Sequence, residues 1–109
     1  MRRWIPGIAL LVALASGASA EPDGAALYQA KCASCHGADG RGDTPVGKAL
    51  KIRSLLEPRW AAEDAPAAIA KIVREGAAGM PPLASKLSSA EIEAVAKATR
   101  DLVARSTAP

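Results

Sequence analysis

This sequence predicts an all-α fold, three to four helices joined by loops rich in glycine and proline. Three observations lead there. No segment alternates apolar and polar residues as a half-buried strand does. Alanine is abundant while valine and isoleucine are few, a composition that favours helix over sheet. The later half of the chain also repeats apolar residues at helical spacing behind recognisable caps.

Taken in order, the first helix is expected from Asp23 or Gly24 to about Ala33. Asp23 is a capping residue, and Ala25, Ala26, Leu27, Gln29, Ala30 and Lys31 all favour helix. Gly37, Gly40, Gly42, Pro45 and Gly47 then crowd one stretch, which reads as a loop. A short helical turn is expected over Ala49 to Leu56. The next helix starts behind Asp64 as cap, tolerates Pro66 in its first turn, carries an apolar stripe of Ile69, Ile72 and Val73, and stops at Gly76. Ser88-Ser89-Ala90-Glu91 is a capping-box pattern. It opens the clearest helix of the chain, with Ile92, Val95, Ala96, Thr99, Leu102 and Val103 on one face and Glu93, Lys97 and Asp101 on another. Residues 106–109 read as a frayed tail.

The N-terminus has a different character. MRRW is basic, Ile5 to Gly17 is apolar, and Ala18-Ser19-Ala20 has the small-residue pattern cut by a signal peptidase. Residues 1–20 are therefore expected to be a cleaved secretory signal. The apolar run contains Pro6 and Gly7 and falls short of the roughly 20 residues a membrane span needs. Residues 21–109 form one small domain with no stable membrane insertion after cleavage, placed in the periplasm. Without Arg2 and Arg3, the basic count drops from 14 to 12 against 11 acidic residues, so the net charge falls from +3 to +1. The basic balance is thus no argument for binding nucleic acid. Beyond residue 20 the aromatic residues are only Tyr28 and Trp60, so a core of this size is expected to need a cofactor, metal or disulfide.

Both cysteines and the single histidine lie in Cys32-Ala33-Ser34-Cys35-His36. A redox disulfide is one reading, because an exported protein meets an oxidising compartment, but no βαβ pattern accompanies it. A zinc site needs four ligands and finds three neighbours. Cys-x-x-Cys-His is the specific signature of covalent haem attachment, and this reading leads, with the disulfide left open. It has a physical sense. Two residues between the thiols let both sulfurs reach the two vinyl-derived carbons of one porphyrin edge, while the adjacent imidazole turns under the iron. Since His36 is the only histidine, a second axial ligand comes from elsewhere. Once Met1 leaves with the signal, Met80 is the only methionine, held in Gly79-Met80-Pro81-Pro82, a stiff segment suited to presenting a side chain. A core-filling methionine, a lysine, Tyr28 or an open position remain alternatives at this stage.

GAALYQAKCASCHGADGRG at the front and GMPPLASKLSSAEIEAVAKATRDL at the back resemble the class I, single-haem bacterial cytochromes c over nearly all of Asp23 to Ala104. The resemblance implies a small cytochrome c fold wrapped around one covalent haem c. Cys32 and Cys35 then hold the thioethers, and His36 and Met80 bind the iron on its proximal and distal sides. Pro45 matches the loop proline whose carbonyl accepts the other imidazole N–H, and Trp60 the indole that donates to a haem propionate. Gly24 and Tyr28 fit the family's close crossing of first and last helices. Two features depart from the pattern: Ala98 and Thr99 stand where an aromatic residue and an aliphatic neighbour are usual, and Val46 to Trp60 matches no subgroup.

The implied function is a soluble electron carrier working by outer-sphere one-electron transfer, not an enzyme. Its redox partner proteins are expected to dock transiently, steered by a basic rim of Arg41, Lys48, Lys51, Arg53 and Arg59. A cytochrome subunit bound permanently to a dehydrogenase or oxidase complex is the first alternative. A haem enzyme with an open distal position is the second.

Overall fold

A computed structural model describes residues 21–109, and the signal-peptide reading of residues 1–20 lies outside that range. Six helical elements follow one another: α1 (Gly24–Lys31), α2 (Ala33–His36), α3 (Pro45–Ala49), α4 (Pro58–Ala61), α5 (Ala65–Glu75) and α6 (Ser89–Thr107). The described residues contain no strand beyond one isolated bridge between Ala77 and Met80. The all-α expectation holds, with α1, α5 and α6 as the frame and three single turns between them.

The long helix α6 is organised by its sequence. Ser88 Oγ accepts from the Glu91 amide at 3.1 Å while the Glu91 carboxylate accepts from the Ser88 amide at 2.8 Å, so both halves of the capping box are made. Ile92, Val95, Ala96, Thr99 and Val103 are its buried residues, as the spacing requires. Ile92, Val95 and Val103 are the most completely buried large side chains, each worth about 1.5–3 kcal/mol of apolar burial. The buried Thr99 hydroxyl is satisfied internally by donating to the Val95 carbonyl at 2.7 Å.

Helix α1 crosses α6 at Gly24. A Cβ there would run into the Ala94 carbonyl and lie 3.1 Å from the Ala98 Cβ, so glycine and alanines together let the two backbones approach. The small residue at Ala98 is thus accommodated by closeness of the helices. Helix α5 packs on α6 through Ala65, Ile69, Ala70 and Val73, with Ile72 half-buried.

Several expected boundaries move. The turn predicted over Ala49 to Leu56 forms earlier, at Pro45–Ala49, inside the stretch read as loop. Thr44 is the reason: its side chain accepts from the Gly47 amide at 2.8 Å, and Pro45 takes the first helical position, where a missing N–H costs nothing. Lys51, at φ 56°, ends the turn in the left-handed region. Glu57-Pro58-Arg59-Trp60 opens α4 for the same proline reason. Asp64 precedes α5 without a side-chain cap bond. α6 runs through Thr107, two residues into the stretch read as a tail, and the Thr107 hydroxyl donates to the Val103 carbonyl at 2.8 Å.

Candidate haem site

The Cys32 to His36 segment is one helical turn. The Cys35 and His36 amides donate to the Cys32 carbonyl at 3.2 and 2.9 Å, and the Gly37 amide to the Ala33 carbonyl at 2.8 Å. Residues at i, i+3 and i+4 of a turn share a face, so Cys32, Cys35 and His36 project together. The turn is hung between α1 and α3. On one side the Cys32 amide donates to the Tyr28 carbonyl at 2.8 Å, and the buried Tyr28 hydroxyl donates to the Gly37 carbonyl at 2.7 Å. On the other, the Thr44 hydroxyl reaches the Ser34 carbonyl at 2.7 Å and the Cys35 carbonyl at 3.4 Å. Gly47 lies so close beneath that a Cβ would strike the Cys35 and Gly42 carbonyls.

Cys32 is buried and Cys35 half-buried. Burial, followed by the neighbouring Cys35, pushes the Cys32 thiol up to about 11. A disulfide-exchange nucleophile needs the opposite, a lowered thiol pKa. Burial also lowers the His36 imidazole below its ordinary value, which favours the neutral ring that binds a metal. Its Nδ1 is buried and has no hydrogen-bond partner, so the bond to the Pro45 carbonyl implied by the resemblance is not made here. An imidazole favoured in its neutral form, on the same face of one turn as two cysteines, is a donor set that fits haem attachment.

Met80 lies in the loop after α5. The Ala77 amide donates to the Met80 carbonyl at 3.1 Å and the Met80 amide to the Ala77 carbonyl at 2.8 Å, closing a tight turn with Gly79 at φ 79°. The Leu83 amide donates to the Val73 carbonyl at 2.9 Å and pins the loop to α5. Half-buried Met80 packs against the core cluster that contains Cys32 and Tyr28. Trp60, in α4, and Leu55 pack against that cluster too. The Arg59 guanidinium lies 4.4 Å from the Trp60 ring centroid and is held by Glu57 at 3.1 Å.

Of the expected basic rim, Arg41 pairs with Asp39 at 3.5 Å, and Glu57 takes both Arg53 and Arg59. Lys48 and Lys51 remain outside any ion pair among the described residues. Sequence reasoning missed Thr44 as the tie between α3 and the cysteine turn, although a threonine directly before a proline is a helix-start signal. It also left Tyr28 among possible ligands, whereas its hydroxyl is committed to Gly37.

Comparison with known proteins agrees with this geometry. Residues 19–97 match the family model described as "Cytochrome C oxidase, cbb3-type, subunit III". Cytochrome c6 of Microcystis aeruginosa is 38% identical over 74 residues, 68% of this chain and 86% of that protein. Among solved structures, the KustC0563 c-type cytochrome superposes with a TM-score of 0.63 at 32% identity, covering 74% of this chain and 98% of its own. A mutant form of that protein gives 0.62 at 30% identity, over 74% and 99% of the two chains. The chain therefore belongs to the cytochrome c family as a single-haem class I member, an electron-transfer protein with a covalent haem c and its iron rather than an enzyme.

Proposed function

We propose that this chain is a soluble electron carrier of the periplasm, exported through residues 1–20, in which His36 and Met80 would hold the haem iron. The observation that carries the reading is the placing of Met80. Apart from Met1 it is the only methionine, and it packs on the cluster that holds Cys32. The bound haem supplies a one-electron couple. The chain does the rest: Cys32 and Cys35 fix the macrocycle, and the small aliphatic core excludes water around it. His36 offers one ring nitrogen to iron while its buried Nδ1 calls for an acceptor, for which the Pro45 carbonyl on α3 is the candidate. The Met80 thioether favours the reduced state relative to a second imidazole and raises the potential. Trp60 is assigned to a propionate contact. Were His36 and Met80 to hold the iron in both oxidation states, reorganisation would be small and outer-sphere transfer favoured.

The test is the ferric spectrum of the haem-loaded protein. A weak far-red band of methionine-to-iron ligation is expected, lost in Met80→Ala, with the reduced parent binding carbon monoxide poorly. A parent lacking the band and binding carbon monoxide readily has an open distal position, and the carrier reading fails. The family model's own description favours one second reading, a cytochrome subunit held permanently in an oxidase complex. Purification as a stable hetero-oligomer distinguishes that case from a free carrier.

A further inference from the structure

Gly76 does more than end α5. Its backbone, at φ 83° and ψ 171°, lies in a region essentially closed to residues with a side chain. The space a side chain would take is filled as well. A Cβ on Gly76 would stand 2.8 Å from the Met80 carbonyl oxygen, 2.9 Å from the Pro82 nitrogen and 3.1 Å from the Pro82 Cδ. The Met80 backbone therefore rests against the bare side of Gly76. Gly79, directly before Met80, is the contrast: its φ is also positive, at 79°, but a Cβ there would meet nothing within 4 Å.

The contact lies inside a loop fastened at both ends to the last turns of α5. The Gly76 amide donates to the Ile72 carbonyl at 2.7 Å where the loop leaves, and the Leu83 amide to the Val73 carbonyl at 2.9 Å where it returns. Between them, Ala77 and Met80 exchange two hydrogen bonds, and Pro81 and Pro82 stiffen the returning arm. A stiff arm passes a displacement on instead of absorbing it. What touches Gly76 is mostly backbone, which cannot swing aside as the tip of a flexible side chain can. A methyl added at Gly76 is thus relieved by moving Met80 and Pro82 away from the end of α5. Since α5 supplies Ile69 and Val73 to the core cluster, such a move shifts the Met80 side chain against the cluster on which it packs.

We propose that Gly76 is a positioning residue for Met80: the side chain it lacks lets the Met80 backbone seat against the end of α5, and that seat sets where the thioether is presented. The inference rests on the reading of Met80 as the distal ligand. Gly76 has no ligating group of its own and acts through the main chain of Met80. A group in a functional site must be held within about 0.5 Å of its productive place, and relieving the overlap at Gly76 takes a shift of that order.

The experiment compares the haem-loaded parent with Gly76→Ala, Gly79→Ala and Gly24→Ala. Two quantities are read: the far-red ferric band, and the rate at which the reduced protein takes up carbon monoxide, which requires the distal position to open. Gly76→Ala is expected to show a weakened band and several-fold faster uptake. Gly24→Ala forces a methyl against α6, lowers stability without touching the loop, and should match the parent in both readouts. Gly79→Ala carries the strain of a positive φ without the collision, and should change both far less than Gly76→Ala. A parent-like band and uptake in Gly76→Ala, or an equal effect in Gly79→Ala or Gly24→Ala, overturns the proposal. If Gly76→Ala does not accumulate as folded holoprotein, Pro82→Ala carries the test, because it removes the ring carbon that lies over Gly76. Faster uptake than the parent then supports the seat at Gly76, and parent-like uptake overturns it. A parent that lacks the band and binds carbon monoxide readily removes the distal-ligand reading and this proposal together. A parent that shows the band beside an unaffected Gly76→Ala removes the proposal alone.

Discussion

Thr44 uses one hydroxyl twice, and its replacement separates local from global effects. Its Oγ1 accepts from the Gly47 amide at 2.8 Å and donates to the Ser34 carbonyl at 2.7 Å, so it both starts α3 and fastens it to the cysteine turn. Thr44→Val keeps the shape and removes both bonds. Denaturant unfolding of the haem-loaded protein is expected to show a loss of roughly 1–2 kcal/mol, mostly restored by Thr44→Ser. Tyr28 makes a prediction that depends on pH. Burial above all, with the Asp39 carboxylate as a further cause, raises its phenol well above the ordinary 10.0. The unfolded chain therefore loses this proton first as pH rises. The contribution is intact below about pH 10 and fades above it, so stability falls on the alkaline side. Tyr28→Phe is expected to be less stable at neutral pH by about 1–3 kcal/mol, leaving the Gly37 carbonyl unpaired. Its decline above pH 10 should be shallower than that of the parent, and parallel slopes contradict the assignment. At this scale the cysteines and His36 were legible because their chemistry is fixed by spacing within one turn. Thr44 and Tyr28 act through partners nine or ten residues away, which no local pattern reveals.

At the level of elements, the start of α6 and most of its buried face could be read, because cap and periodicity agree. The short turns were harder. An element of four or five residues has no periodicity to detect, and α3 and α4 are fixed instead by a proline at their first position. The α1–α6 crossing tests whether closeness compensates for the small residue at Ala98. Gly24→Ala places a methyl against the Ala94 carbonyl. Since backbone cannot yield as a side-chain tip can, an overpacking loss of about 1–3 kcal/mol is expected in chemical denaturation, with the haem spectrum unchanged. A neutral result means that the helices cross more loosely than described.

For the whole molecule, the arrangement packs two distant pieces of sequence on one core cluster. Cys32 is buried in the central cluster, and Met80, from the loop after α5, packs on it beside Trp60 and Leu83. Composition hinted at this from the start: residues 21–109 carry one tyrosine and one tryptophan, and the core is built from small aliphatic side chains. A domain so poor in aromatic bulk gains much of its packing from the group it encloses. The proposal of Met80 as distal ligand rests on elimination together with the family resemblance, and the packing of Trp60 on the core cluster was not legible at all, since helix packing decides which side chains meet. Covalent attachment through both cysteines is the central claim, and intact mass spectrometry of protein exported by a strain that matures c-type cytochromes tests it most directly. The mass expected is that of a chain beginning at Glu21 plus one haem, retained under denaturing conditions and moved by no thiol reagent. A chain of that length carrying no haem and two alkylatable thiols contradicts it.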